Sequence, residues 1–182
     1  MIFETRRLIL RPWRDEDAAS LYAYASEPMI GMSGGWAPVT SEHEGLRMIQ
    51  GQLRKGENYA IILRETDEPI GNVGFLADED ANVDLGPDEA EVGYWIGMPH
   101  WGNGYAGEAI RRFLQHAFED LDKTGVWGSY YEENVRSGRV LFKSGFVYHH
   151  TEASKVDAMG DERIMHYTYI SELPADESIQ DD

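Results

Sequence analysis

Three glycines within six residues, Gly102-Asn103-Gly104-Tyr105-Ala106-Gly107, stand between a β-type run ending at Ile96 and a helix with one apolar face. Few folds place such a segment there. Glycine lets the backbone turn tightly and come close to a ligand. The helix that follows begins with N–H groups that lack partners inside it and carries the positive end of its dipole at this point. Strand, glycine turn and helix start together make a cradle for an anion such as a phosphate. The dipole contributes roughly 0.3–1 kcal/mol for an exposed anion and up to about 2 kcal/mol for a partly buried one, and amide hydrogen bonds add to it. A glycine-rich turn with no ligand would carry the same pattern.

The same residues spell G-x-G-x-x-G, the dinucleotide-binding fingerprint. In that fold the glycine turn follows directly on its strand, and an acid about twenty residues later ends the next strand and holds the ribose. Here Gly97-Met98-Pro99-His100-Trp101 intervenes, and the next strand, Thr124-Gly125-Val126-Trp127-Gly128-Ser129, ends without an acid. Too little chain remains for a doubly wound domain, so the nicotinamide reading is set aside.

Elsewhere the pattern alternates between strand and helix periods. Arg7 to Arg11 alternates as a strand, and a helix is expected from Asp15 to about Ser26. Glu27 to Val39 has no periodicity and is expected as a loop. Ser41 with Glu44 forms a capping-box signature for a helix to about Lys55. Asn58 to Leu63 and Pro69 to Leu76 read as a hairpin, Asp78 to Asp88 as a polar connection, and Glu91 to Ile96 as a strand. In the helix from about Gly104, Ala106, Ala109, Ile110, Phe113, Leu114, Ala117 and Leu121 share a face that should pack on a sheet. Gly125 to Tyr131 is a strand, Val135 to Lys143 a short helix, and Phe146 to Thr151 and Arg163 to Ile170 two closing strands. A length of 182 residues suits one mixed α/β domain over residues 1–171, with the acidic stretch 172–182 expected to fray.

Composition narrows the chemistry. Sixteen basic against 33 acidic side chains give a formal charge of −17, which opposes a nucleic-acid backbone. Cysteine is absent, so covalent acyl-cysteine chemistry and thiolate metal sites are excluded, and the histidines show no metal-ligand spacing; no metal is expected. No apolar run approaches the ~20 residues that cross a bilayer, and no leader pattern opens the chain, so no membrane partner is expected and a cytoplasmic location is the default. A homodimer is left open.

Read together, Glu91-Val92-Gly93-Tyr94-Trp95-Ile96 and Trp101 to Ala109 resemble the acetyl-CoA-binding core of the GNAT superfamily. More narrowly they resemble the RimJ/RimL-like branch, the acetyltransferases of ribosomal-protein N-termini. Its pattern Q/R-x-x-G-x-G/A runs here from Trp101 to Ala106, with tryptophan in first place. Thr5-Arg6-Arg7-Leu8-Ile9-Leu10-Arg11-Pro12 is similar to the branch's opening strand, and Asn134 with Ser137, then Leu141 to Phe146, to its second cofactor element. The likeness covers Thr5 to about Ile170.

The resemblance implies a GNAT fold: a mixed sheet of six to seven strands splayed in the middle and flanked by about four helices. It further implies acetyl-CoA as cosubstrate, with its pantetheine arm along the main chain of Trp95, Ile96, Gly97 and Met98 and its pyrophosphate on Trp101, Gly102, Asn103, Gly104, Tyr105, Ala106 and Gly107. Asn134 would hydrogen-bond the arm from the far side, although an N-cap role explains it too. Lys143, with Arg139, would reach the phosphate end, or would simply be solvated.

Direct transfer needs a neutral amine and a group that stabilises the departing thiolate. A lysine-like amine costs about 4–5 kcal/mol to deprotonate at pH 7, an α-amine only about 1 kcal/mol. Glu91, on one strand face with Gly93 and Trp95, is the candidate base through water, with a solvent-facing charge as its alternative and Glu89 as near-equal. The tyrosine that many GNAT members carry seven residues after the asparagine is Leu141 here, and Ser137 resembles the serine this branch carries instead. Its hydroxyl either serves the thiolate or satisfies the helix backbone. Met29, Met32 and Trp36 are candidate walls for the acceptor, a peptide N-terminus or small-molecule amine; a cofactor-binding module without turnover is the alternative function.

Overall fold

The computed structural model describes residues 1–174. Its strands are β1 (Phe3–Glu4), β2 (Leu8–Arg11), β3 (Asn58–Leu63), β4 (Glu68–Phe75), β5 (Glu89–Ile96), β6 (Gly125–Tyr131), β7 (Val147–Val156) and β8 (Glu162–Ile170). Its α-helices are α1 (Ala18–Ala25), α2 (Pro28–Gly34), α3 (Glu42–Met48), α4 (Tyr105–Gln115) and α5 (Val135–Lys143). The strands form one sheet in the order β1-β2-β3-β4-β5-β6-β8-β7.

Every neighbouring pair is antiparallel except β5 and β6. That parallel pair holds only through Glu89↔Gly125, Ala90↔Val126 and Glu91↔Trp127. Beyond Glu91, β5 continues on β4 to Ile96 while β6 continues on β8 to Tyr131. The sheet therefore parts in its middle, as the resemblance implied. Parallel neighbours need a long crossover, and α4 lies in it.

The sheet is covered on both faces. Residues Tyr59, Ile61 and Leu63 of β3 join one cluster with Ile110, Phe113 and Leu114 of α4. Ala60 and Ile62 of the same strand join a second with Trp13, Leu21 and Ile49. A strand buried on both sides reads as a continuous apolar run, which is why Asn58–Leu63 was legible. Phe113 is fully buried, and Phe113→Ala would cost on the order of 3–5 kcal/mol and loosen α4 from the sheet.

The structure corrects the sequence reading in three places. Glu27 to Val39 is not all loop: residues 28–34 are α2, begun by Pro28 at its first turn and ended by Gly35 at φ 73°. Glycine content hides it from any periodicity, whereas burial of Ile30 and Gly31 stabilises it. The sheet has eight strands because a two-residue strand, Phe3–Glu4, precedes the expected first one. β7 runs five residues past Thr151, and its near-complete exposure removes the alternation that would have marked it. Of the acidic stretch expected from Glu172, Leu173 packs on the main cluster, and residues 175–182 lie outside the described residues. No described helix is long and apolar enough to cross a membrane.

Candidate active site

The gap between the parted strands opens into a cavity of about 1170 Å³. Its near wall is the glycine segment. A 3-10 turn, Met98–His100, carries the chain off β5, and Trp101 Nε1 donates to Ile96 O at 2.6 Å. Asn103 Nδ2 donates to His100 O and Trp101 O at 3.1 and 3.3 Å, so this side chain pins the loop from within. Gly102 and Gly104 adopt φ 79° and 76°, the left-handed region that side chains disfavour. The first main-chain bond of α4 runs from Glu108 N to Gly104 O. None of the N–H groups of residues 102–107 has a partner among the described residues. An anion in the cavity would meet that row of donors and the start of α4 together.

The opening strand motif holds this wall in place. Glu108, in the first turn of α4, accepts from Thr5 Oγ1 at 2.6 Å, Arg7 N at 2.9 Å and Arg7 Nε at 2.7 Å. Burial pushes the Glu108 carboxyl up, but these bonds outweigh it and hold its pKa below the ordinary value. Arg7 also lies over the Tyr105 ring at 4.7 Å.

Along β5, Leu76 N donates to Glu91 O and Gly97 N to Ile70 O at 2.8 Å, so odd-numbered residues spend their main-chain groups on β4. By alternation Val92, Tyr94 and Ile96 turn theirs to the gap. This corrects the expectation for Trp95 and Gly97. Gly97 and Met98 do not line the cavity, nor does Asn103. A Cβ on Gly97 would meet the Tyr24 ring at 2.5 Å, so that glycine admits a neighbouring side chain. Trp95, Ile96, Trp101, Gly102, Gly104, Tyr105, Ala106 and Gly107 do line it.

The opposite wall is α5. Asn134 caps it, its Oδ1 accepting from Ser137 N at 3.2 Å, while its Nδ2 donates to Ser33 O at 3.1 Å. The N-cap role is thus present, with a further amide hydrogen left over. Ser137 Oγ lies 2.6 Å from Tyr94 OH. Burial pushes the Tyr94 phenol well above its ordinary value, so it stays protonated. Tyr94 OH also lies 3.0 Å from Ser137 O, so its one proton goes either to that carbonyl or to Ser137 Oγ; in the second arrangement the serine proton is free to point into the cavity. Leu141 is fully buried and packs where a Cβ on Gly128 would meet it at 2.7 Å, so no acid stands at that position. Arg139 and Lys143 line the cavity. Arg136 does too, its guanidinium 4.0 Å above the Trp101 ring, which the sequence reading missed.

Glu91 sits at the base of the gap, fully buried. It is not the solvent-facing charge of the alternative reading. Its carboxylate accepts from Asn82 N, from Asn82 Nδ2 at 2.9 Å and from Ser129 Oγ. Glu89 is committed elsewhere, to Trp127 Nε1 at 2.9 Å, Gly86 N at 2.9 Å and Tyr169 OH at 3.0 Å. The Trp127 and main-chain bonds hold the Glu89 carboxyl below its ordinary pKa against the effect of burial.

Beyond Glu91 the cavity is walled by Met29, Met32 and Trp36 from α2 and its C-terminal turn, and by Asp157, Met159 and Asp161 between β7 and β8. Arg163 binds these pieces together. It donates to Met32 O at 2.8 Å, Glu133 Oε1 at 2.7 Å and Asp157 Oδ2 at 3.3 Å, and lies over the Tyr131 ring at 3.6 Å. Burial pushes the Asp157 carboxyl up, yet bonds from Asp161 N, Met159 N and Arg163 hold it below the usual range. The cavity is electrically divided: α5 contributes Arg136, Arg139 and Lys143, and the far end has Glu91, Glu133, Asp157 and Asp161 against Arg163 alone. Asn82, Ser129, Glu133 and Asp157 come from segments with no motif, and only the fold gathers them.

Three comparisons bear on this geometry. The family model described as an acetyltransferase (GNAT) domain matches residues 7–147. An uncharacterized N-acetyltransferase of Bacillus subtilis, YoaA, is 33% identical over 150 residues, covering 80% of this chain and 82% of that protein. Among solved structures, a GNAT-family acetyltransferase from Bacillus anthracis superposes with a TM-score of 0.83 at 19% identity, over 94% of this chain and 98% of that one. Mycobacterium smegmatis RimJ in complex with CoA-disulfide gives 0.72 at 22% identity, over 90% and 81%. At these identities the structures support the fold alone.

Proposed function

The chain belongs to the GNAT acetyltransferase family, and from that premise we propose that it moves an acetyl group from acetyl-CoA directly to a primary amine, an N-terminal α-amine or a small amine. The observation that carries this reading is the row of N–H groups at Gly102 and Gly104 to Gly107, unpartnered among the described residues, at the mouth of the parted strands and across from Arg136, Arg139 and Lys143. Such a wall fits a diphosphate, and the free main-chain groups of Tyr94, midway along the gap edge of β5, fit an extended amide-bearing arm. That RimJ binds a coenzyme A derivative supports the same reading.

The acceptor enters from the acidic end as an ammonium, which the excess of carboxylates attracts. Glu91 takes its proton, directly or through water. The neutral nitrogen attacks the thioester carbonyl; a C–N bond forms, the C–S bond breaks, the sulfur leaves as a thiolate, and the second proton of the nitrogen passes to solvent as the amide forms. Ser137, backed by Tyr94, donates a hydrogen bond to that sulfur. Full proton transfer from serine to a thiolate of pKa near 8.5 is uphill, so solvent completes the protonation. An α-amine demands least of Glu91, because its deprotonation at pH 7 costs only about 1 kcal/mol.

The test is thiol release from acetyl-CoA across a panel of free N-terminal peptides and small amines, with binding measured separately by calorimetry. Turnover on a panel member is the expected result. Tight binding with no turnover on any of them would favour a sensing module instead.

A further inference from the structure

We propose that Asn82 positions the Glu91 carboxylate, and that β7 holds Asn82 in turn. The inference rests on Glu91 being the base.

Glu91 is fully buried, and all its donors come from outside its own strand. Asn82 supplies two of the three. Its main-chain N–H goes to Oε2, and its carboxamide gives one hydrogen to Oε1 at 2.9 Å and the other to Ser129 Oγ at 3.2 Å. Ser129 Oγ completes the set on Oε1. A carboxylate offers about two acceptor sites per oxygen. Oε1 is therefore filled, and the one site left is on Oε2. The asparagine decides which lone pair an incoming amine or water meets.

Asn82 itself lies in the connection between β4 and β5, whose sole regular piece is the 3-10 turn Asp78–Asp80. Such a segment needs an anchor. The Asn82 carbonyl accepts from Lys155 Nζ at 3.1 Å, and Tyr167 OH lies 3.2 Å away. The phenol has one proton, and the Glu152 carboxylate at 2.8 Å is the stronger acceptor for it. Lys155 is thus the main latch. Because the β7–β8 hairpin also carries Asp157 and Met159 in its turn and Arg163 on β8, the hairpin that walls the acceptor end also fixes the direction of the base.

The alternative is that Asn82 only stabilises its loop. A double-mutant cycle separates the two, using acetyl-CoA and the best acceptor of the amine panel. Asn82→Ala keeps the main-chain donor and removes the side chain. Its kcat should fall about 10- to 100-fold, the scale of a misdirected catalytic group, with acetyl-CoA Kd unchanged. In an E91Q background the same change should cause no further fall. Lys155→Ala should lower kcat less, and Lys155→Arg should restore it. Asn82→Ala at wild-type kcat, or effects that multiply across the cycle, would overturn the inference while leaving Glu91 as the base. E91Q at wild-type kcat would overturn the base reading along with it. Without any acceptor, the Asn82 amide proton should exchange at least about tenfold faster in Glu91→Ala than in the wild type; equal rates would show that the carboxylate does not hold it.

Discussion

The wall proposed for the cofactor presents main-chain groups from one short segment, Gly102 and Gly104 to Gly107, whereas the wall proposed for the acceptor presents side chains from α2, the β4–β5 connection, β5, β6 and the β7–β8 hairpin. The first depends on backbone shape and tolerates unusual side chains: Trp101 takes the place of the family's Gln or Arg and is held by a bond to Ile96 O. The second depends on which atoms five separate segments bring together. One wall therefore breaks when a dihedral is strained, the other when a functional group is lost.

Substitutions can test that contrast. The largest effect is expected from E91Q, which removes the proposed proton acceptor and leaves the glycine segment untouched. General-base catalysis is worth about 10²–10⁴-fold, so kcat should fall by at least about 10²-fold in steady-state assays while calorimetry finds acetyl-CoA Kd unchanged. Gly104→Val should do the reverse. A β-branched residue at φ 76° carries a strain of roughly 1–2 kcal/mol; the free loop relaxes to shed it and binding must restore it, which weakens acetyl-CoA binding by up to about 5- to 30-fold, with kcat preserved at saturation. Parallel losses in both variants would erase the distinction between the walls.

Ser137→Ala sharpens it on the α5 side. A turnover loss of about tenfold with little change in cofactor Kd would assign the hydroxyl to the thiolate, and equal losses in both would assign it to binding. The smallest effect is expected from Glu108→Gln, which keeps the shape of the Thr5 and Arg7 contacts but removes the charge. Charge-assisted hydrogen bonds to a half-buried group are worth about 1–2 kcal/mol, seen as a lower Tm. The sign with pH follows from its lowered folded pKa. Glu108 stabilises the fold above its ordinary value of 4.5, and that contribution is lost as pH falls from there through the lowered value. Glu108→Gln should therefore lose less stability than the wild type between neutral pH and acid, measured by thermal melts.

The same contrast explains what could be read from sequence. The glycine segment, α4, β3 and β6 were legible because each carries its signal in consecutive residues: a glycine spacing, a three-to-four period or an apolar run. Asn134 and Ser137 were legible through the resemblance. Asn82 was invisible, one polar residue in a polar connection, and nothing local links it to Glu91 nine residues on. Arg163 looked like an ordinary strand end until Met32, Glu133 and Asp157 were seen around it. The partnership of Tyr94 with Ser137 crosses from β5 to α5, so no local pattern links the two. Helix α2 hid behind its own glycines and is held by tertiary burial.

The central claim is that free amides at the start of α4 grip the diphosphate of coenzyme A. Calorimetry comparing coenzyme A with pantetheine, which lacks the diphosphate, tests it most directly. Coenzyme A should bind the folded protein at least about 100-fold more tightly, a difference of about 2.7 kcal/mol, and that advantage should shrink in Gly104→Val. Equal affinity for the two compounds, or no uptake of coenzyme A by well-folded protein at low salt, would contradict it.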